Sequence, residues 1–241
     1  MNTGSILNQD ESGMLHRRDE GGGVGMSERV FLDRREAGKL LARALAHYAG
    51  RKDVVVLGLP RGGVPVAAEV ARALGAPLDV LIVRKLGAPG QDELAIGAIA
   101  EGGARVLNQG LVENLGLTRW QIDELAQSEE RELERRVQIY RGGRDPLPVA
   151  DRTVIVVDDG IATGATMRAG LQSLRARGAT LVVAAAPVGA ADSVDALRED
   201  ADEVVVLETP AWFRAVGQWY ENFGQTTDEE VRACLEEEAA A

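Results

Sequence analysis

Short apolar runs punctuate the chain at 53–59, 78–83, 154–157, 181–186 and 203–207. They are rich in Val, Leu and Ala and lack the strict alternation of a half-exposed strand. Each is therefore expected to be a strand buried on both faces, as in a parallel sheet. Helical patterns fall between them. Asp33 with Glu36 forms a capping box ahead of a face made by Ala37, Leu40, Leu41, Ala44, Leu45 and Tyr48, and Gly50 marks the stop. A helix through Glu69 to Leu74 follows the first run and closes at Gly75 and Pro77. Thr118 with Gln121 opens a longer helix, in which Ile122, Leu125, Leu133, Val137 and Tyr140 keep the period until Gly142-Gly143. The third run feeds a helix to about Arg177. Another helix, over Asp192 to Arg198, separates the last two runs, and Thr227 with Glu230 caps a final acidic helix. Strands alternating with helices predict an α/β fold, a parallel sheet flanked by helices.

The remaining segments are irregular. Residues 1–25 are polar and Gly-rich with no apolar period, so a disordered tail is expected, with one folded domain over 26–241. Leu86 to Asp92 reads as a Gly/Pro loop. Leu94 to Ile99 and Ala104 to Leu107 are expected to pair as short strands around Gly102-Gly103. Residues 104–145 are then expected to form a largely helical insertion, and 227–241 the acidic terminal helix. Thr209-Pro210 opens a loop holding Trp212, Phe213, Trp219, Tyr220 and Phe223.

Charge narrows the partners. The net charge is −11, and the segment from Asp228 onward supplies −5 of it. An acidic surface argues against broad nucleic-acid or anionic-membrane binding, so any phosphate ligand must be held by a local constellation. The single cysteine, Cys234, excludes an internal disulfide. With no secretory apolar core at the start, a cytoplasmic protein is expected. His16 and His47 lie far from any motif, and no zinc site can be assembled from this inventory.

The chemistry concentrates in Val154-Ile155-Val156-Val157-Asp158-Asp159-Gly160-Ile161-Ala162-Thr163-Gly164-Ala165-Thr166. An apolar strand delivers two carboxylates to its C-terminal end, where open α/β sheets bind ligands. A loop of small residues then lets backbone N–H groups approach an anion beside a helix N-terminus. A plain strand-to-helix turn with exposed acids would account for the acid pair alone; Thr163-Gly164-Ala165-Thr166 at this offset argues for a ligand with hydroxyls at one end and phosphate at the other. The stretch closely resembles the phosphoribosyl pyrophosphate (PRPP) motif of the type I phosphoribosyltransferases. That resemblance implies that Asp158 and Asp159 hold the ribose hydroxyls and that Gly160, Ile161, Ala162, Thr163, Gly164, Ala165 and Thr166 hold the 5-phosphate. It also implies a small hood and a mobile flap around the sheet.

Three further stretches are read beside it. Gly58-Leu59-Pro60-Arg61-Gly62-Gly63 has neither the Rossmann nor the P-loop spacing. It resembles the family's pyrophosphate loop, in which an often-cis peptide turns amides toward the diphosphate; here either Leu59-Pro60 or Pro60-Arg61 stands at that place. Pro60, Arg61, Gly62 and Gly63 would then bind pyrophosphate together with Arg84 and Lys85, since adjacent cations at a strand end can clamp phosphates. The stretch Arg84-Lys85-Leu86-Gly87-Ala88-Pro89-Gly90 is similar to one in the adenine enzymes and would begin the flap. Trp212 or Phe213 would stack on the base, as in the hypoxanthine-guanine enzymes, and Glu221 would help organise metal water. The 6-oxopurine enzymes carry an Asp where this chain has Ala162, and the orotate enzymes do not, so the acceptor stays open.

The implied reaction is displacement of pyrophosphate from PRPP by a nitrogen acceptor such as a nucleobase. Asp158, Asp159, Arg61 and Lys85 would be the catalytic group. Mg²⁺ would be held mostly through ligand oxygens and water, with Asp158 and Asp159 assisting. Homodimers are common in the family. The alternative is a catalytically silent PRPP- or nucleotide-binding regulator on the same fold; a plain interaction module would require both anion loops to be accidental.

Overall fold

The computed structural model describes residues 29–101 and 105–239. The expected tail over 1–25, and Gly102 to Ala104, lie outside the described residues. In chain order the elements are α1 (Arg34–Ala44), β1 (Val54–Gly58), α2 (Gly63–Leu74), β2 (Leu78–Val80), β3 (Val83–Ala88), β4 (Gln91–Ala100), β5 (Arg105–Leu107), α3 (Gln109–Asn114) and α4 (Arg119–Arg141). There follow β6 (Thr153–Val157), α5 (Ala165–Ala176), β7 (Leu181–Val188), α6 (Ala191–Leu197), β8 (Glu203–Glu208) and α7 (Asp228–Ala239).

The expected parallel sheet is present, in the order β2-β1-β6-β7-β8, every pair parallel. Alternate side chains of its strands feed two cores. Val55, Leu57, Val154 and Val156 pack with Met167, Leu171 and Leu174 of α5 and Val194 and Leu197 of α6. Val54, Val56, Ile155 and Val157 pack with Leu41 and Leu45, at the end of α1, and Val66, Val70 and Leu74 of α2. Helices on both faces explain why the strands read as continuous apolar runs.

The caps follow the sequence. Asp33 accepts a hydrogen bond from the Glu36 amide at 2.8 Å, while Glu36 takes the Leu32 amide. Thr118 and Gln121 form a reciprocal box, and Gly75 and Gly142 end α2 and α4 in the left-handed conformation that glycine alone adopts without a Cβ penalty. At the last helix Thr227 and Glu230 exchange hydrogen bonds at 2.7 and 3.1 Å. Helix α1 stops at Ala44, short of Tyr48, and a 3-10 turn carries 46–48.

Two expectations about the middle of the chain are corrected. The run at 78–83 is not one strand: β2 ends at Val80, and Leu81-Ile82 cross to a second sheet. Both residues are fully buried, so hydrophobicity does not mark the break. Leu86 to Asp92 is not a loop. The strands β3, β4 and β5 form an antiparallel sheet, with Ala88 paired to Gln91 across a two-residue Pro89-Gly90 turn. Proline fixes φ at the first turn position and Gly90 supplies φ +73° at the second, so the Gly/Pro signal reports only the tip of a hairpin. The pairing expected between 94–99 and the strand ending at Leu107 is found in β4 and β5.

This hood sheet and α4 share a third core with α2 and α7, built on Val64, Ile82, Leu86, Ile96, Leu133 and Val231. An ionic contact fastens it to the main sheet. Arg141, buried at the end of α4, donates from Nε to both oxygens of Asp79 at 2.8 and 3.0 Å, from Nη1 to Glu101, and from Nη2 to the Val80 carbonyl at 2.8 Å.

Candidate active site

Strand order decides where the site lies. From β1 the chain runs outward to β2; after the hood it returns to place β6 on the other side of β1, and then runs outward to β7 and β8. The β1/β6 boundary is the topological switch point, where a crevice opens at the carboxyl ends of the strands. Gly58 and Val157 are in register there, so the two candidate anion loops leave adjacent strands at the same level. Strand spacing alone puts them about 5 Å apart.

The loops are in contact. A Cβ added to Gly62 would fall 1.9 Å from Asp159 Oδ2, and one added to Gly63 would fall 2.6 Å from the Val157 carbonyl and 3.1 Å from Asp158 Oδ1. Pro60–Arg61 is a cis peptide, which resolves the choice between the two bonds. The loop is held by the Leu59 amide donating to Val157 O at 2.9 Å and the Gly63 amide to Leu59 O at 3.1 Å.

The acid pair is asymmetric. Asp158 Oδ1 accepts the Asp159 amide at 2.9 Å. Burial, and then the neighbouring charge of Asp159, push the Asp158 carboxyl well above the usual carboxylate range. Asp159 Oδ2 instead takes the Arg34 Nε–H at 2.8 Å, between side chains 15 % and 13 % exposed. The Tyr220 hydroxyl donates to the Asp159 carbonyl at 2.6 Å. Burial and the adjacent Asp159 charge push that phenol far up, so it stays a donor.

The loop after the acids forms an open cradle. Gly164, at φ +69°, turns the chain into α5. Among the described residues, nothing accepts from the amides of Ala162, Thr163, Gly164, Thr166 or Met167. Ala162, Thr163, Ala165 and Thr166 are exposed while Ile161 is buried and bridged to Gly189. Ser193 steadies the loop through the Ala162 carbonyl at 2.6 Å. Val216 closes the wall beside Gly160, where an added Cβ would meet it at 2.5 Å. Such a set of amides at a helix N-terminus accepts a phosphate-sized anion.

Other expected site residues lie differently. Arg84 and Lys85 are adjacent on β3, so their side chains leave opposite faces of the strand. Arg84 turns to Glu129 of α4, at 2.7 Å. Lys85 lines a cavity of about 320 Å³ between the hood sheet and α5, together with Val83, Asn108, Ala165, Thr166 and Arg168. Arg61 reaches toward Asp228 at 3.8 Å, and the same carboxylate takes the Tyr140 hydroxyl at 2.8 Å. Of the aromatics, Trp212 is 82 % exposed, whereas Phe213 packs partly buried against the cluster of Phe31, Trp219 and Tyr220. The structure thus leaves Trp212 the more accessible face of the two. Glu221 is exposed, its amide tied to the Phe31 carbonyl at 2.8 Å.

Against this geometry the sequence profile of the phosphoribosyl transferase domain matches residues 32–223, a span holding both anion loops, the hood and the aromatic segment. The chain belongs to the phosphoribosyltransferase family. Two curated proteins of Mycobacterium tuberculosis, from strains CDC 1551 and H37Rv and each named "Putative phosphoribosyl transferase", are 55 % identical over 208 residues. That alignment covers 86 % of this chain and 47 % of each relative, so the chain spans about half the length of the curated relatives it matches. The crystal structure of TT1426 from Thermus thermophilus is similar at 47 % identity and a TM-score of 0.79, covering 86 % of this chain and 98 % of that one. No helix among the described residues is long and apolar enough to cross a membrane.

Sequence reasoning missed Arg34, Tyr220 as a hydrogen-bond donor, and Arg141. Arg34 directly follows the Asp33 cap, but nothing local marks it as a partner of an acid 125 residues later. Tyr220 was visible only as one aromatic among several.

Proposed function

We propose that the chain is a phosphoribosyltransferase acting on PRPP, forming an N-glycosidic bond from C1 of the ribose to a nitrogen acceptor and releasing pyrophosphate. The observation that carries this reading is the contact between two anion loops across an acid pair at the switch point. A single loop would suit any phosphate; two loops with ribose-sized acceptors between them suit a sugar phosphorylated at both ends.

In this reading the amides of 162–167 hold the 5-phosphate, Asp158 and Asp159 accept the ribose hydroxyls, and the 60–63 loop with Arg61 receives the diphosphate. Arg61 has to turn from Asp228 to do so. Fixing the sugar at three points brings C1 to the acceptor and leaves it free to flatten toward an oxocarbenium ion. In the same reading the β3–β4 hairpin, carrying Lys85, would limit water access from the α5 side. A flat acceptor would lie against Trp212.

The residues fit Mg²⁺ in one manner only. Among the described residues, no group of three or more His, Cys, Asp or Glu is placed to hold a metal, so Asp158 and Asp159 would share the ion with ligand oxygens and water. When bound, Mg²⁺ would neutralise charge on the leaving diphosphate.

The test is calorimetry with Mg-PRPP, followed by pyrophosphate release over a panel of nucleobases and amines. Binding with release on at least one acceptor is expected. Absence of PRPP binding would overturn the reading. Binding without turnover on any acceptor would favour the silent regulator.

A further inference from the structure

Arg34 lies outside every motif, yet four parts of the molecule meet on it. Its Nε donates to Asp159 Oδ2 at 2.8 Å and its Nη1 to the Gly224 carbonyl at 2.7 Å. The guanidinium carbon stands 4.0 Å from the Phe223 ring centroid and 6.0 Å from that of Tyr220. Those two rings are themselves 5.1 Å apart, and Tyr220 holds the Asp159 carbonyl. A Cβ on Gly62 would come 3.2 Å from Arg34 Nε, so the guanidinium also borders the 60–63 loop. The side chain is 13 % exposed.

We infer that Arg34 is the positioning residue of the donor site, and that the Phe223-Gly224 segment is the platform that aims it. The inference rests on the PRPP reading. A polyanionic donor approaching two adjacent carboxylates meets repulsion, and a fixed cation on one acid offsets it. Geometry matters as much as charge. With Oδ2 committed to Arg34, Asp159 presents Oδ1 alone in a set direction toward the ribose hydroxyls. An arginine is needed, because only a planar fork can hold a carboxylate and a carbonyl at once while stacking on an aromatic ring. Ion pairing through one oxygen also leaves Asp158 as the acid of the pair without a cation of its own among the described residues.

The inference predicts a loss confined to the ribose. Arg34→Met should weaken PRPP and ribose 5-phosphate by about 30-fold, the range of a hydrogen bond to a charged group, with pyrophosphate affinity changed less than about threefold. Arg34→Lys, which keeps the charge and loses the fork, should recover only part of the loss. Phe223→Ala, which keeps Arg34 and removes its platform, should move in the same direction by a smaller factor. Arg43→Met, the same charge change at an exposed position of α1, is the control. Binding of each ligand is read by calorimetry beside a thermal melt. Equal losses for all three ligands, or full recovery by lysine, would overturn the positioning role. Wild-type protein that does not bind PRPP would overturn the underlying reading as well, whereas wild-type binding matched by Arg34→Met would overturn this inference alone. Should Arg34→Met fail to fold, the lysine and Phe223 variants read the same ribose-against-pyrophosphate split.

Discussion

Gly62→Ala tests the contact between the loops most directly. The new Cβ would lie 1.9 Å from Asp159 Oδ2 and 2.6 Å from its Cγ. Carbon and oxygen atoms rest comfortably at roughly 3.4 Å, so about 1.5 Å has to be found. The carboxylate cannot simply turn aside, because Oδ2 is held by Arg34, which is held in turn by Gly224 and stacked on Phe223. Nor can the loop back away freely, since Gly63 already packs against the Val157 carbonyl. Overpacking of this kind costs about 1–3 kcal/mol, a fall in Tm of roughly 2–12 °C for a chain of this size. If the acid moves instead, the donor loses a charge-assisted hydrogen bond of about 1.5–3 kcal/mol, or roughly 10–150-fold in Kd. Calorimetry with PRPP and a thermal melt read the two routes. Gly110→Ala, in the short hood helix, is the control: its Cβ would meet nothing closer than 3.7 Å, and alanine favours a helix by roughly 0.5–1 kcal/mol over glycine. A Gly62→Ala protein that binds PRPP as wild type does and melts at the same temperature would refute the loop contact.

Three more outcomes are expected. Asp158 has a raised folded pKa, so the native state holds that proton more tightly than the unfolded chain; the stability it contributes is present below about pH 4 and is lost as pH rises through the folded value. Asp158→Asn should therefore gain on wild type in urea midpoint as pH rises from about 4 to about 7 while losing PRPP affinity, and a wild type that gains on the variant over that range would contradict the assignment. Arg141→Met leaves the buried Asp79, and Glu101, without the cation each is paired to and should cost roughly 3–5 kcal/mol; a loss under about 1 kcal/mol by denaturant titration would show that the hood is fastened otherwise. Trp212→Ala should leave stability within about 0.5 kcal/mol, given its exposure, and raise the acceptor KM about tenfold if it stacks on the base; an unchanged KM would remove it from the site.

Local chemistry made much of this legible. The buried strands, the capping boxes at Asp33, Thr118 and Thr227, and the strand–acids–loop–helix unit at 153–176 each depend on residues within a few positions of one another, so periodicity and spacing report them. The hairpin was harder, because Gly and Pro mark its tip and say nothing of how far the strands extend on either side. Leu81 and Ile82 were as hydrophobic as the strand they leave. Arg84 and Lys85 looked like a pair because they are adjacent, but adjacency on a strand means opposite faces.

The chain's own order of residues determined the acid-pair motif, since two acids at a strand end and amides at a helix N-terminus are built from one continuous segment. Only the tertiary structure decided how that segment is completed. Placing β6 beside β1 brought Gly62 against Asp159, and the return of residues 220–224 to α1 put Arg34 on the same carboxylate. Those contacts join positions far apart in the chain through sheet order and aromatic packing, and no local pattern encodes which distant cation will face a given acid.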